Sequence, residues 1–172
     1  MDASILSLVL HPGAKGPTDS RGKLIPEARE RAQYLVQVLD EGKTKIIIPT
    51  PVLAELLVIA GSAGPKYLDA INDRSCFKIA DFDKRAATEV ALQIRNAMKT
   101  GDKRQGSTST WAKIKFDRQI VAIGKVEGVT TIYSDDEDVQ KYSADSGIEA
   151  KGTKDLPMPP ASQPKLFGEG NE

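Results

Sequence analysis

Residues 43–57 read KTKIIIPTPVLAELL, and the change of pattern inside this stretch decides the fold class. Ile46, Ile47 and Ile48 form a β-branched run closed by Pro49, the composition of a short strand buried on both faces. Thr50-Pro51 then offers an N-cap and a first-turn proline, and apolar residues continue through Ala60, so a helix follows at once. A strand that feeds directly into a helix is half of a parallel crossover, because parallel strands need a connection of a dozen or more residues. The same alternation recurs on both sides.

Upstream, residues 3–10 (ASILSLVL) read as an apolar helix after a very short strand. Residues 11–25, with Pro12, Gly13, Gly16, Pro17 and Gly22, read as a long loop. Across 26–41, Ala28, Ala32, Leu35, Val36 and Leu39 recur at helical spacing, and Gly42 is the stop. Downstream, residues 65–73 predict a short helix and 76–80 (CFKIA) a strand. Asp83 is the expected cap of a helix whose buried face is Ala86, Ala87, Val90, Ala91, Ile94 and Met98. A polar loop at 101–110 (GDKRQGSTST) leads to a helix over 114–127, a strand at 129–134 (VTTIYS), a helix over 136–143 and a short strand at 147–150. This order predicts a three-layer α/β/α domain over 1–157 with a central parallel sheet of four to five strands. Residues 158–172, rich in proline and poor in apolar side chains, are expected to form a disordered tail.

Composition narrows the chemistry. With 172 residues the chain can bury a core. Cys76 is the single cysteine, which excludes an intramolecular disulfide and a cysteine-rich zinc site. His11 is the single histidine, in a loop before Pro12-Gly13, and reads more plainly as a surface residue than as the base of a catalytic triad. The longest apolar run, around 52–60, contains Glu55 and is far short of a membrane span, and no leader pattern precedes it. A cytoplasmic protein without a membrane partner is the expectation.

Positive and negative residues balance at 24 each, but not locally. Arg95, Lys99, Lys103, Arg104, Lys113, Lys115 and Arg118 stand against Asp102 and Asp117 alone. A solvated helix face followed by a polar loop accounts for such a run, and so does a border for phosphate.

Ligands of parallel α/β sheets gather at the carboxyl ends of the strands. Asp2 opens the first helix, and Glu55 lies one turn into the helix after IIIP. Asp117 sits near the start of its helix, and Asp135, Asp136 and Asp138 directly follow VTTIYS. Each has a bland explanation: a helix-surface glutamate, an ion pair within one helix, and N-terminal acids favoured by the helix dipole. Gathered at one edge, they make a different object. Clustered carboxylates raise one another's pKa unless a cation intervenes, and an all-oxygen set without His or Cys suits Mg²⁺ or Mn²⁺.

The order of these motifs resembles the PIN domain family, in particular the VapC-like ribonuclease toxins of prokaryotes. MDASILSLVL matches the first motif with Asp2, IIIPTPVLAELL the second with Glu55, KFDRQIVAIG the third with Asp117, and TIYSDDED the fourth with Ser134 and Asp136. The second and fourth are the more specific, and the match spans about residues 1–157. The resemblance implies that Asp2, Glu55, Asp117 and Asp136 are both metal ligands and catalytic residues of a Mg²⁺- or Mn²⁺-dependent endoribonuclease acting on single-stranded RNA. It also implies an antitoxin protein as partner, and a homodimer. The family has several apolar residues ahead of its first Asp, whereas here only Met1 precedes Asp2. Either the reading frame begins upstream or the central strand is stunted. The alternative function is a PIN-like RNA- or protein-binding module with weak or no cleavage. A receiver-like phosphoacceptor is the third reading, although its paired acids after the first strand and its lysine after the last are not evident.

Overall fold

The computed structural model describes residues 1–19 and 21–160; residues 161–172 of the expected tail lie outside the described residues. Strand β1 (Ile46–Pro49) pairs in parallel with β2 (Phe77–Ala80), Ile46 opposite Phe77 and Pro49 opposite Ala80. Strand β3 (Thr131–Tyr133) pairs in parallel with β4 (Glu149–Lys151), Thr131 opposite Glu149. Helices connect them in the order α1 (Ala3–Leu10), α2 (Ala28–Glu41), β1, α3 (Thr50–Ala60), α4 (Gly64–Asn72), β2, α5 (Lys84–Lys99), α6 (Trp111–Val126), β3, α7 (Glu137–Asp145), β4.

The chain is therefore mixed α/β with short parallel sheets, as the alternation predicts, but the expected single sheet of four to five strands is replaced by two sheets of two strands. The reason lies at Met1 and Asp2, which sit between the two pairs. The Met1 ammonium donates to the Ile47 carbonyl at 3.1 Å, and the Asp2 N–H donates to the Tyr133 carbonyl at 3.0 Å. A parallel ladder needs a regular series of bonds on each edge. Two residues supply one per side.

The main core gathers Ile5 and Leu6 of α1, Ala32 and Val36 of α2, Ile48 of β1, and Val52 and Leu56 of α3. A second cluster joins Ile114 and Val121 of α6 to Ile132 of β3 and Val139 and Tyr142 of α7. Helix α6 comes close to β3 at Gly124, where an added Cβ would lie 3.1 Å from Val129 Cγ2. Any larger residue there would push the helix off the strand.

Three local expectations change. Thr50 is the first residue of α3 and not its cap; its Oγ1 accepts from the Phe82 N–H, tying the helix start to the end of β2. Helix α6 begins at Trp111, three residues early, because Thr110 caps it by accepting from the Lys113 N–H at 3.3 Å. Asp117 consequently lies in the second turn. Helix α5 buries only Ala86 and Ala97 of its residues, and Met98 is 61% exposed, so its apolar stripe covers much less than its periodicity suggests. Leu156 is buried, and its carbonyl accepts from Arg31 Nη1 at 2.6 Å, so the chain beyond β4 folds back onto α2.

Candidate functional site

Asp2, Glu55, Asp117 and Asp136 line one cavity of about 460 Å³, together with Ser4, Lys113 and Phe116. Four chain segments reach it. The N-terminus brings Asp2, α3 brings Glu55, α6 brings Asp117 and Lys113, and the end of β3 brings Asp136. Local rules explain why the aspartates sit there. Asp2 caps α1, its Oδ1 accepting from the Ile5 N–H at 3.1 Å. Asp136 caps α7, its Oδ1 accepting from the N–H groups of Asp138 at 2.9 Å and Val139 at 3.1 Å. N-capping thus fixes one oxygen of each carboxylate and leaves the other free for the cavity.

The tightest group is Asp117, Asp136 and Asp138, which each place one carboxylate oxygen within 4.8 Å of the others. Asp2 and Glu55 line the same cavity without joining that group. Asp138 enters it instead, as a residue outside the four motif acids. Its Oδ2 accepts from the hydroxyls of Ser107 and Ser109, both at 2.7 Å. Burial works against its charge, but these two hydroxyls outweigh that and hold its pKa below the ordinary carboxylate value. Asp135 points elsewhere: it accepts from the Thr153 N–H at 2.7 Å and from the Thr153 hydroxyl at 2.5 Å, fixing the turn after β4.

Lys113 occupies the middle of the site. Its Nζ is 2.7 Å from Asp117 Oδ2 and 2.8 Å from Asp136 Oδ2. These two bonds and charges outweigh desolvation and raise the Lys113 pKa well above the usual lysine value. The sequence expectation put Lys113 on the border of the site; it lies inside. Its ammonium stands where a cation satisfies two carboxylates at once, which is the test of fit that the site offers to a metal. The donors are all carboxylate oxygens, the chemistry of a hard divalent ion.

The expected pKa rise is present, but its main cause differs. Asp2 is only 6% exposed, and burial pushes its carboxyl up to about 6, although Ser134 Oγ and the Ile5 N–H both donate to it. Asp117 is 4% exposed; burial pushes it up, Lys113 pulls it down without winning, and Asp136 and Asp138 add to the rise. Desolvation leads and mutual repulsion assists. Ser134, fully buried, links the segments: its Oγ donates to Asp2 Oδ2 and accepts from the Asp136 N–H at 3.1 Å.

The basic stretch divides in three dimensions. Lys99, Lys103 and Lys115 are exposed, but Arg118 is 2% exposed. Its guanidinium lies 4.3 Å over the Tyr142 ring and donates to Gln105 Oε1 and to the Lys103 carbonyl. Arg118 therefore anchors the 101–110 loop and is not a phosphate contact. His11 shares a 2.5 Å hydrogen bond with the Tyr67 hydroxyl, away from the acids.

No family model matches the chain, and no curated protein matches it either. Among the described residues, no helix is long and apolar enough to cross a membrane.

Proposed function

We propose that the chain is a PIN-like endoribonuclease that holds Mg²⁺ or Mn²⁺ between its carboxylates and cleaves single-stranded RNA. One observation carries this reading: the convergence of Asp117, Asp136 and Asp138 in a cavity that Asp2 and Glu55 also line. Asp117, Asp136 and Asp138 would hold the metal, with Asp2 and Glu55 completing the set. A bound divalent ion would supply a lowered water pKa and stabilise charge on the phosphodiester. Asp2 Oδ2, with its raised pKa, is suited to take a proton near neutral pH. Lys113, released from Asp117 and Asp136 by the metal's charge, would turn to a backbone phosphate. Ser107 and Ser109 keep Asp138 oriented. In this reading the two sheets and the residues between them form one five-position array, β2, β1, Met1-Asp2, β3, β4. A cytoplasmic toxin restrained by an antitoxin protein, acting as a homodimer, is the setting we propose for it.

A second reading draws on Lys113. Because its ammonium already neutralises two of the acids, the fold can also serve as a binding module that needs no metal. Incubating a labelled single-stranded RNA with the protein and Mn²⁺ separates the two. Cleavage that stops with a chelator and with Asp117→Asn supports the nuclease; metal-independent RNA binding without cleavage supports the module.

A further inference from the structure

The facing edges of β1 and β3 enclose a cavity of about 280 Å³. One wall is Thr44, Lys45, Ile46 and Ile47, the other Val129 to Tyr133, and Met1 closes the inner end. Leu39 of α2 and Ile120 and Gly124 of α6 also line it. These are the surroundings of a strand rather than of a small polar ligand.

The hydrogen bonds set the register. Ile46 N–H is used toward β2, donating to the Cys76 carbonyl at 2.7 Å, so the N–H of Ile47 faces the cavity. On the other side, Ser134 N–H donates to the Lys151 carbonyl of β4 at 2.9 Å, so the N–H of Tyr133 faces the cavity. Met1 N already donates to Ile47 O, and Asp2 N to Tyr133 O, in the alternation of a central parallel strand. Continuing that alternation backward, the residue joined to Met1 would accept from the Tyr133 N–H. The one before it would accept from the Ile47 N–H. Pro49, which has no N–H, stands where the next β1 donor would be, so the ladder can extend only away from the acidic site.

We propose that this cavity is a strand-acceptor slot, and that its occupant is an extended apolar segment of about four residues, peptide-bonded to Met1 and parallel to β1 and β3. Four residues at about 3.3 Å each span the walls from Ile47 back to Thr44 and from Tyr133 back to Thr130. Both faces of such a strand would meet apolar side chains, so its composition is continuously apolar rather than alternating. Attachment through Met1 suits its nitrogen. One N–H is needed, for Ile47 O, and a peptide N–H supplies it without a buried ammonium. The slot itself carries the inference, which holds whatever the acids do.

Three proteins test it: the 172-residue chain, the chain with Val-Ile-Leu-Val joined ahead of Met1, and the chain with Ser-Gly-Ser-Gly there. A free capped Val-Ile-Leu-Val peptide is added to the first. With the apolar extension, the melting temperature rises by roughly 5–10 °C. Amide exchange of Ile47 and Tyr133 slows by at least about tenfold, while that of Ile46, already bonded to β2, changes little. The polar extension produces neither change. Equal protection by both extensions, or none by the apolar one, overturns the proposal. Protection by the free peptide but not by the fused segment overturns the attachment through Met1.

Discussion

Asp117 shows how a residue's role and its stability effect separate. It is buried, and its pKa is raised mainly because its charge is desolvated. Asp117→Asn removes that charge while Asp136 still holds Lys113. The variant should therefore melt within about 1 kcal/mol of the parent yet lose on the order of 10²-fold or more in metal-dependent cleavage. Loss of cleavage accompanied by unfolding in circular dichroism would instead make Asp117 a structural residue. Asp2 predicts a pH dependence. Its folded pKa of about 6 lies above the ordinary 3.8, so the folded state binds more protons between those values. Stability from this group is thus present below about pH 4 and lost as the pH rises through about 6. In chelator, thermal unfolding across pH 4–7 should show this decline, and Asp2→Asn should flatten it. Mn²⁺ should reverse it, because the metal binds the ionised carboxylate. Asp2 and Asp136 were legible as acids at element starts. The position of Lys113 between two of the acids was not, because one lysine in a basic run gives no hint of which side its chain will turn.

At the scale of elements, the 101–110 loop is organised by Arg118. The guanidinium is buried over Tyr142, donates to the Lys103 carbonyl and to Gln105, and is the loop's link to α6 and α7. The same loop carries Ser107 and Ser109 to Asp138. Arg118→Ala should cost roughly 2–4 kcal/mol through poorer packing and unpaired acceptors, read as a lower denaturant midpoint. It should also open residues 102–109 to proteolysis before global unfolding. A variant with an unchanged midpoint and a protease-resistant loop would show that Ser107, Ser109 and Asp138 hold the loop without Arg118. The sparse burial of α5 belongs to this scale as well. Its periodicity is helical and the helix forms, but periodicity does not say how much neighbouring surface exists to cover it.

For the whole molecule, zero net charge conceals an uneven surface. Lys99, Lys103 and Lys115 are exposed, whereas Lys113 is engaged by acids and Arg118 is enclosed. If the exposed set borders the RNA, Lys115→Glu should weaken binding and flatten the slope of log K against log salt by roughly 0.7, the share of one neutralised phosphate. A slope identical to that of the parent would remove Lys115 from the interface. Val58 of α3 is 83% exposed and Ile59 beside it 48%, an apolar face on the helix that carries Glu55. Should the proposed homodimer use that face, Val58→Asp would shift the sedimentation coefficient to that of the monomer at micromolar concentration. An unchanged dimer would direct attention to another surface.

What the sequence determined by itself was local: the strand–helix alternation, the parallel sense of each pair, and acids at the starts of α1 and α7. These follow from side-chain periodicity, proline and capping, which act over a few residues. Tertiary structure decided the rest. It put Asp138 rather than Asp2 or Glu55 in the tightest acidic group, and Arg118 under the loop rather than on the surface. It also divided the expected sheet in two at Met1-Asp2. Each outcome depends on which distant segments meet and how well burial is compensated there. Desolvation and ladder continuity are properties of the assembled environment, and no short window of sequence contains them.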